Sequence, residues 1–122
     1  MGLRKDQSDF WHMVAQLKME ADAMNTPFFI TEWLRSQEKQ KYLVSIGRSK
    51  TLKSKHLDGL AIDIVFLEDI NDDGIVNFVA DKYKYLGEYW ESLGGRWGGR
   101  FGDNPNTVKI EGWDAGHFEF GG

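Results

Sequence analysis

With no cysteine in the chain, any metal site must be built from its three histidines and its acids. His56 stands seven positions before Asp63, and between them the sequence changes from the polar "SKHLDG" to the apolar "LAIDIVF". An acid inside so apolar a stretch needs a partner, because an isolated buried carboxylate is costly. A histidine on a loop and an aspartate on the strand after it can fix two corners of a tetrahedral metal site. His117, in "WDAGHFEF", is the candidate for the third, since His12 falls on a predicted helix among polar neighbours. Two histidines and one aspartate, with the fourth position left to water, are the composition of a catalytic rather than a structural zinc site. Asp114, three residues before His117, could take a proton from water on such a metal and return it to a leaving amine. Glu119, two residues beyond His117, shares its face if the segment is a strand and could orient the imidazole. Spacing alone leaves a plainer arrangement open, with His56 capping a loop, Asp63 paired to an arginine and His117 on an edge strand.

The elements that would carry these residues can be read from periodicity. Phe10, Val14, Leu17 and Ala21 recur at helical spacing and predict a helix from Ser8 to about Met24. Pro27 breaks that pattern, and "FFIT" (Phe28 to Thr31) reads as a short buried strand. Ser36 is a plausible N-cap for a helix to Ile46, with Gly47 as its stop. Ala61 to Phe66 reads as a buried strand. From Asn77, the residues Phe78, Lys82, Tyr85, Tyr89 and Leu93 follow helical spacing up to Gly94. Short strand-like pieces surround Arg96-Trp97 and His117 to Phe120. Without a βαβα rhythm, the expected class is α+β, a small, mainly antiparallel sheet packed with about three helices.

Composition narrows the function classes. At 122 residues the chain suits one domain with a modest core, and 41% hydrophobic and 14% aromatic residues are those of a folded globule. A formal charge of −4 disfavours nucleic acid and anionic lipid as partners. The absence of cysteine excludes a disulfide framework, a thiol nucleophile and any thiolate metal site. "MGLRKDQSDFW" lacks the apolar run of a signal peptide, no later run approaches a membrane span, and Asp6 fails the myristoylation pattern. A soluble protein, not exported by a classical signal, is expected.

The opening motif carries more than spacing. "SKHLDGLAID" (Ser54 to Asp63) matches Ser-x-His-x-x-Gly-x-Ala-x-Asp at all its fixed positions, and an acid-x-x-His follows near the C-terminus. The chain thereby resembles the zinc murein peptidases: D-alanyl-D-alanine carboxypeptidases, D-Ala-D-Ala dipeptidases and phage L-alanyl-D-glutamate endopeptidases. "ITEWLRS", "IGRSKTLKSKHL", "RWGGRF" and "HFEF" add to the likeness, which covers roughly Ile30 to the C-terminus. It implies a hedgehog/DD-peptidase-like fold, a single Zn2+ held by His56, Asp63 and His117, and Asp114 as general base. It also implies Arg35 near the metal, holding a substrate carbonyl or carboxylate and stabilising the oxyanion, where a plain surface ion pair is the alternative. Ser54 would bind substrate or support His56, while Gly59 and Ala61 would answer to a tight turn and a small residue beside the metal strand.

Some features depart from the family pattern or stand outside it. Trp33-Leu34 replaces Gly-Tyr before the arginine, and "GDNPNTVKIEGWDA" is longer than the usual link, so the substrate groove differs there. Aspartate rather than glutamate at position 114 resembles the endopeptidase lysins. Trp113 is a candidate to line the groove, whereas most of Trp90, Trp97, Phe101, Phe118 and Phe120 are expected in the core. "DINDDG" matches the start of an EF-hand loop, offering Asp69, Asn71 and Asp73 to Ca2+, but Ala80 stands where a bidentate glutamate is needed. A polar turn explains that stretch better.

The resulting expectation is a single catalytic zinc peptidase domain over residues 1–122, with no separate wall-binding domain and monomeric. It would cleave peptidoglycan stem peptides at the L-Ala–D-Glu bond, as a phage or prophage endolysin that gathers in the host cytoplasm and acts on the wall after release. The D-Ala-D-Ala bond is the alternative target. A zinc-containing binding module without turnover is the rival from another class, and Asp114 argues against it. A calcium-binding structural module is a third reading.

Overall fold

Phe10, Val14, Leu17 and Ala21 form the buried stripe of the first helix, α1 (Leu3–Ala23), in the computed structural model, which describes residues 2–48, 52–69, 80–100 and 115–122. The helix begins before the predicted Ser8 because, after the exposed Leu3, its first turns hold no apolar residue until Phe10 for periodicity to mark. Polar contacts support them instead: Lys5 reaches Asp9 at 2.7 Å, one helical turn on.

Strand β1 (Phe28–Glu32) follows, and then helix α2 (Gln37–Ser45), where the Ser36 hydroxyl accepts from the Lys39 N–H at 3.1 Å as the N-cap. Gly47, at φ 76°, stops it as the sequence suggests. Strand β2 (Ala61–Phe66) occupies the residues predicted for it. Helix α3 (Ala80–Ser92), strand β3 (Arg96–Trp97) and strand β4 (His117–Glu119) complete the described elements.

The four strands form one sheet in the order β1-β2-β4-β3, antiparallel at every pairing. Strand alternation gives its two faces different tasks. Ile62, Phe118 and Trp97 lie in register and join Ile64 and Phe66 in the core against α1 and α3. Asp63 pairs with His117, and Ala61 and Arg96 with Glu119, one step out of phase with that core set. A register shift between Ile30 and Glu32 sets Glu32, not Thr31, across from Asp63.

On α3 the structure corrects the predicted face. Tyr83, Leu86 and Trp90 are fully buried, whereas Tyr85 is 50% exposed. The expected start of this helix, Asn77 and Phe78, lies outside the described residues. The buried stripe follows the largest side chains and Gly87, against which the Trp97 ring packs so closely that a Cβ there would stand 2.1 Å from it. Trp90 and Trp97 then tie this layer to β4 and to the segment just before it, donating from their indole nitrogens to the carbonyls of Glu119 at 2.8 Å and Ala115 at 2.7 Å. Of the aromatics expected in the core, Trp90, Trp97 and Phe118 are buried and Phe120 packs partly against them; Phe101 lies outside the described residues. Among the described residues no helix is long and apolar enough to cross a membrane.

Candidate metal centre

His56 is placed by a 3-10 turn, Lys55–Asp58, that the sequence brackets on both sides. The Ser54 hydroxyl accepts from the His56 N–H at 3.2 Å. Gly59 closes the turn at φ 67°, a left-handed conformation suited to glycine, and a Cβ there would meet the Trp33 ring and the Gln7 amide at 3.1 Å. Trp33 then braces the turn from outside, its indole N–H donating to the Gly59 carbonyl at 2.9 Å. The Arg35 backbone N–H donates to the His56 carbonyl at 3.0 Å.

This bracing fixes the chemistry of the ring. His56 Nδ1 lies 2.7 Å from the Trp33 carbonyl, which can only accept, so Nδ1 carries a proton and in the neutral ring Nε2 carries the lone pair. Nε2 is buried and has no hydrogen-bond partner among the described residues. It stands 3.2 Å from Asp63 Oδ2, too poorly aligned for a hydrogen bond. A buried, unsatisfied lone pair facing a carboxylate marks a position for a cation.

Asp63 and His117 meet because their strands are paired. Gly116 permits the close approach, since a Cβ there would lie 2.6 Å from the Ile64 carbonyl. His117 Nδ1 is 3.0 Å from Asp63 Oδ1, and its Nε2 is 2.9 Å from Glu119 Oε1. Ligand atoms of His56, Asp63 and His117 all lie within 4.8 Å of one another. Two donors about 2.0–2.1 Å from a tetrahedral zinc would stand roughly 3.3 Å apart. The 3.2 Å and 3.0 Å contacts that Asp63 makes to the two rings are close to that span. Two imidazoles and one carboxylate, with one lone pair already bare, fit a zinc ion.

The protonation states agree with the geometry. Burial would raise the Asp63 carboxyl, but the hydrogen bond to His117 and the nearby His56 ring outweigh it and hold it well below the usual range. Burial alone would lower His117; hydrogen bonds to Asp63 and Glu119 overcome it and push the imidazole up to about 9. The metal-free His117 is therefore a cation between two anions. A metal would replace its Nδ1 proton.

Arg35 reaches the centre as well, with Nη2 3.8 Å from Asp63 Oδ2. Its Nε and Nη2 each donate at 2.8 Å to the two oxygens of Glu32, and its Nη1 donates at 2.8 Å to Gln40 Oε1. The ion pair considered in the sequence reading thus exists, but it is largely buried: the Arg35 side chain is 10% exposed. The guanidinium holds Glu32 down at about 2, assisted by Lys39.

Of the residues singled out in the sequence, the structure gathers Ser54, His56, Asp63, His117, Glu119 and Arg35. His12 lies exposed on α1, apart from them. Trp113, Asp114, Asn71, Asp73 and the Asp69 side chain lie outside the described residues. Sequence reasoning missed three contributors: the Trp33 carbonyl, Glu32 and Gln40. A backbone carbonyl leaves no signal in residue type. Gln40 left none either: only the fold shows that it is the buried residue of α2.

Comparison with known proteins supplies a family and a fold. A family profile described as D-alanyl-D-alanine carboxypeptidase, of the peptidase M15 group, matches residues 47–120. An L-alanyl-D-glutamate peptidase of Listeria phage A118 is 39% identical over 80 residues, 63% of this chain. The chain spans only 28% of that protein's length. Among solved structures, the Serratia marcescens L-Ala D-Glu endopeptidase ChiX superposes with a TM-score of 0.60 at 26% identity, over 97% of this chain and 82% of that one. The vancomycin-resistance D,D-pentapeptidase VanY, solved with Zn(II), shares the fold at a TM-score of 0.59 and 22% identity, over 93% of this chain and 71% of that one. The profile spans the Ser54–Asp63 motif and His117 alike, and the chain belongs to the peptidase M15 family.

Proposed function

We propose that this chain is a zinc peptidase that hydrolyses peptidoglycan stem peptides, at the bond between L-alanine and D-glutamate. The observation that carries the reading is the buried lone pair of His56 Nε2, facing Asp63 and His117 with no partner among the described residues. His56, Asp63 and His117 would hold the ion, which when bound supplies a Lewis acid for the scissile carbonyl and makes water acidic enough to lose a proton near neutral pH.

The chain's own residues do the rest. The Trp33 carbonyl keeps His56 in the tautomer that presents Nε2, and Glu119 aligns the His117 ring from behind. Ser54 supports His56 through its backbone. Arg35 offers a fixed positive charge beside Asp63, suited to the oxygen on which negative charge develops. Asp114 is the proposed general base, on its position three residues before His117 and on the family resemblance. Trp113 is proposed to line the groove.

The L-Ala–D-Glu bond is preferred because the phage A118 relative and ChiX are both named for it. The matching profile's description favours D-Ala-D-Ala as the second reading. A phage or prophage lysin, released from the host cytoplasm to the wall, is the biological setting we propose.

Digestion of purified peptidoglycan by wild type and Asp114→Ala, followed by mass spectrometry, tests the reading. New N-terminal D-Glu is expected from wild type, with a loss of ~100-fold or more in rate for the variant. Released D-Ala would shift the assignment to a carboxypeptidase. No cleavage of several wall types by zinc-loaded wild type would overturn the enzymatic reading.

A further inference from the structure

Six of the chain's fifteen lysines and arginines fall within residues 36–55, with only one of its nineteen acids, Glu38. This stretch therefore carries +5 in a chain of net −4, and the sequence outside it is strongly anionic. Most cations outside it are neutralised where they stand. Lys5 pairs with Asp9, Lys18 with Asp22, Lys82 with Glu68, Lys84 with Glu88, Arg96 with Glu119 and Arg100 with Glu91. Within the stretch Lys39 lies 3.1 Å from Glu32, but Lys41, Arg48 and Lys55 form no ion pair among the described residues. Lys41 and Arg48 are exposed. The stretch also does little for the core: Gln40 is the buried residue of α2, while Tyr42 and Ile46 are 61% and 48% exposed. Both its ends are rooted at the metal centre. Arg35, just before it, donates its backbone N–H to the His56 carbonyl at 3.0 Å, and Ser54, near its close, caps the His56 turn.

We propose that residues 36–55 carry a docking surface for the peptidoglycan polymer, on which the exposed Lys41 and Arg48 attract the free carboxylates of successive stem peptides. The proposal rests on the stem-peptide reading above and names what holds the protein to its polymeric substrate. A glutamate bonded through its amine and one carboxyl keeps the other carboxyl free, so each stem brings at least one anion close to the scissile bond. A polymer of such stems is repelled by the anionic remainder of the chain and meets its strongest attraction on this stretch. One exposed ion pair contributes little, but contacts repeated along a polymer add together. Because the stretch begins and ends at the metal centre, a polymer held there lies beside the residues that would cut it.

The test is sedimentation of the zinc-loaded chain, carrying Asp114→Ala to slow turnover, with insoluble peptidoglycan freed of phosphate polymers. Binding is expected, and it should weaken as salt rises from ~50 to ~300 mM. Adding Lys41→Glu with Arg48→Glu should weaken it ~10-fold or more, and Lys41→Gln with Arg48→Gln should weaken it less, in the same direction. Lys5→Glu with Lys84→Glu makes the same change in net charge away from the stretch and should leave binding within about twofold. Amidating the stem carboxyls should cost the unaltered stretch as much binding as the Lys41→Glu, Arg48→Glu pair. An equal loss in the Lys5→Glu, Lys84→Glu pair, or binding unaffected by amidation, would overturn the proposal. So would binding only to walls that keep their phosphate polymers, which would assign the stretch to those polymers. The readout needs no turnover, so binding by a wild type that cleaves nothing would strike the proposed function and leave the docking surface standing. Cleavage of soluble stem peptides without binding to the polymer would strike the docking surface alone.

Discussion

The two histidines of the centre are oriented by opposite means. His56 donates to a neutral main-chain carbonyl, that of Trp33, and turns a bare lone pair inward. His117 lies between two carboxylates, Asp63 and Glu119, and without metal it keeps a proton on each nitrogen. The neutral His56 ring presents a lone pair as it stands, whereas His117 must first give up a proton. Metal uptake at this centre is therefore coupled to proton release through His117.

The largest expected effect comes from removing either ring. His56→Ala and His117→Ala should each lose stoichiometric zinc on desalting, measured by elemental analysis. Full retention by either variant would break the pairing of the two as ligands.

A finer test separates them. In the metal-free protein the His117 pKa is raised from 6.5 to about 9, so the stability it contributes is fully present below pH 6.5 and is lost as the pH rises through about 9. Zinc uptake between those values should release roughly one proton from this ring, read by calorimetry in buffers of different ionisation heat. Glu119→Gln removes one of the two anions. It should lower the His117 pKa, reduce that proton release at neutral pH and weaken zinc ~10–100-fold. An unchanged His117 titration by NMR would show that Glu119 is not what holds the proton.

The smallest effect is expected on the His56 side. Trp33→Phe deletes the indole bond to the Gly59 carbonyl but leaves the backbone carbonyl that orients His56. A loss of about 0.5–1.5 kcal/mol in thermal or denaturant unfolding is expected, with little change in zinc affinity. A large loss of zinc would mean that the indole, not the main chain, governs the ring.

How much of this was legible in the sequence depended on the range of the interaction. Strand β2 was read residue for residue, since its apolar run is bounded by a turn glycine and its acid stands out against it. The cap of α2 at Ser36 and its stop at Gly47 are local chemistry and were read as such. The start of α1 was not, because a lone exposed Leu3 ahead of polar residues makes no periodicity. The buried face of α3 was misread, because Trp97, ten residues beyond Gly87, decides which side of that helix is covered. The same holds for the site. His56, Asp63 and His117 are chemically conspicuous, whereas Glu32 and Gln40 look like ordinary surface residues until the fold brings Arg35 between them.

By itself, then, the sequence determined the residue types able to hold a metal, the α+β class, the antiparallel strands and the family motif. Each of these is written in local pattern and composition. Only the tertiary structure decided which nitrogen of His56 faces the centre, that His117 is held by Glu119 from behind, and that the Nε/Nη2 edge of Arg35 is taken by Glu32. Those outcomes depend on strand register and on backbone groups brought together from distant parts of the chain. A one-residue change in the β1 register would set Thr31 instead of Glu32 opposite Asp63, with the composition of the chain unchanged.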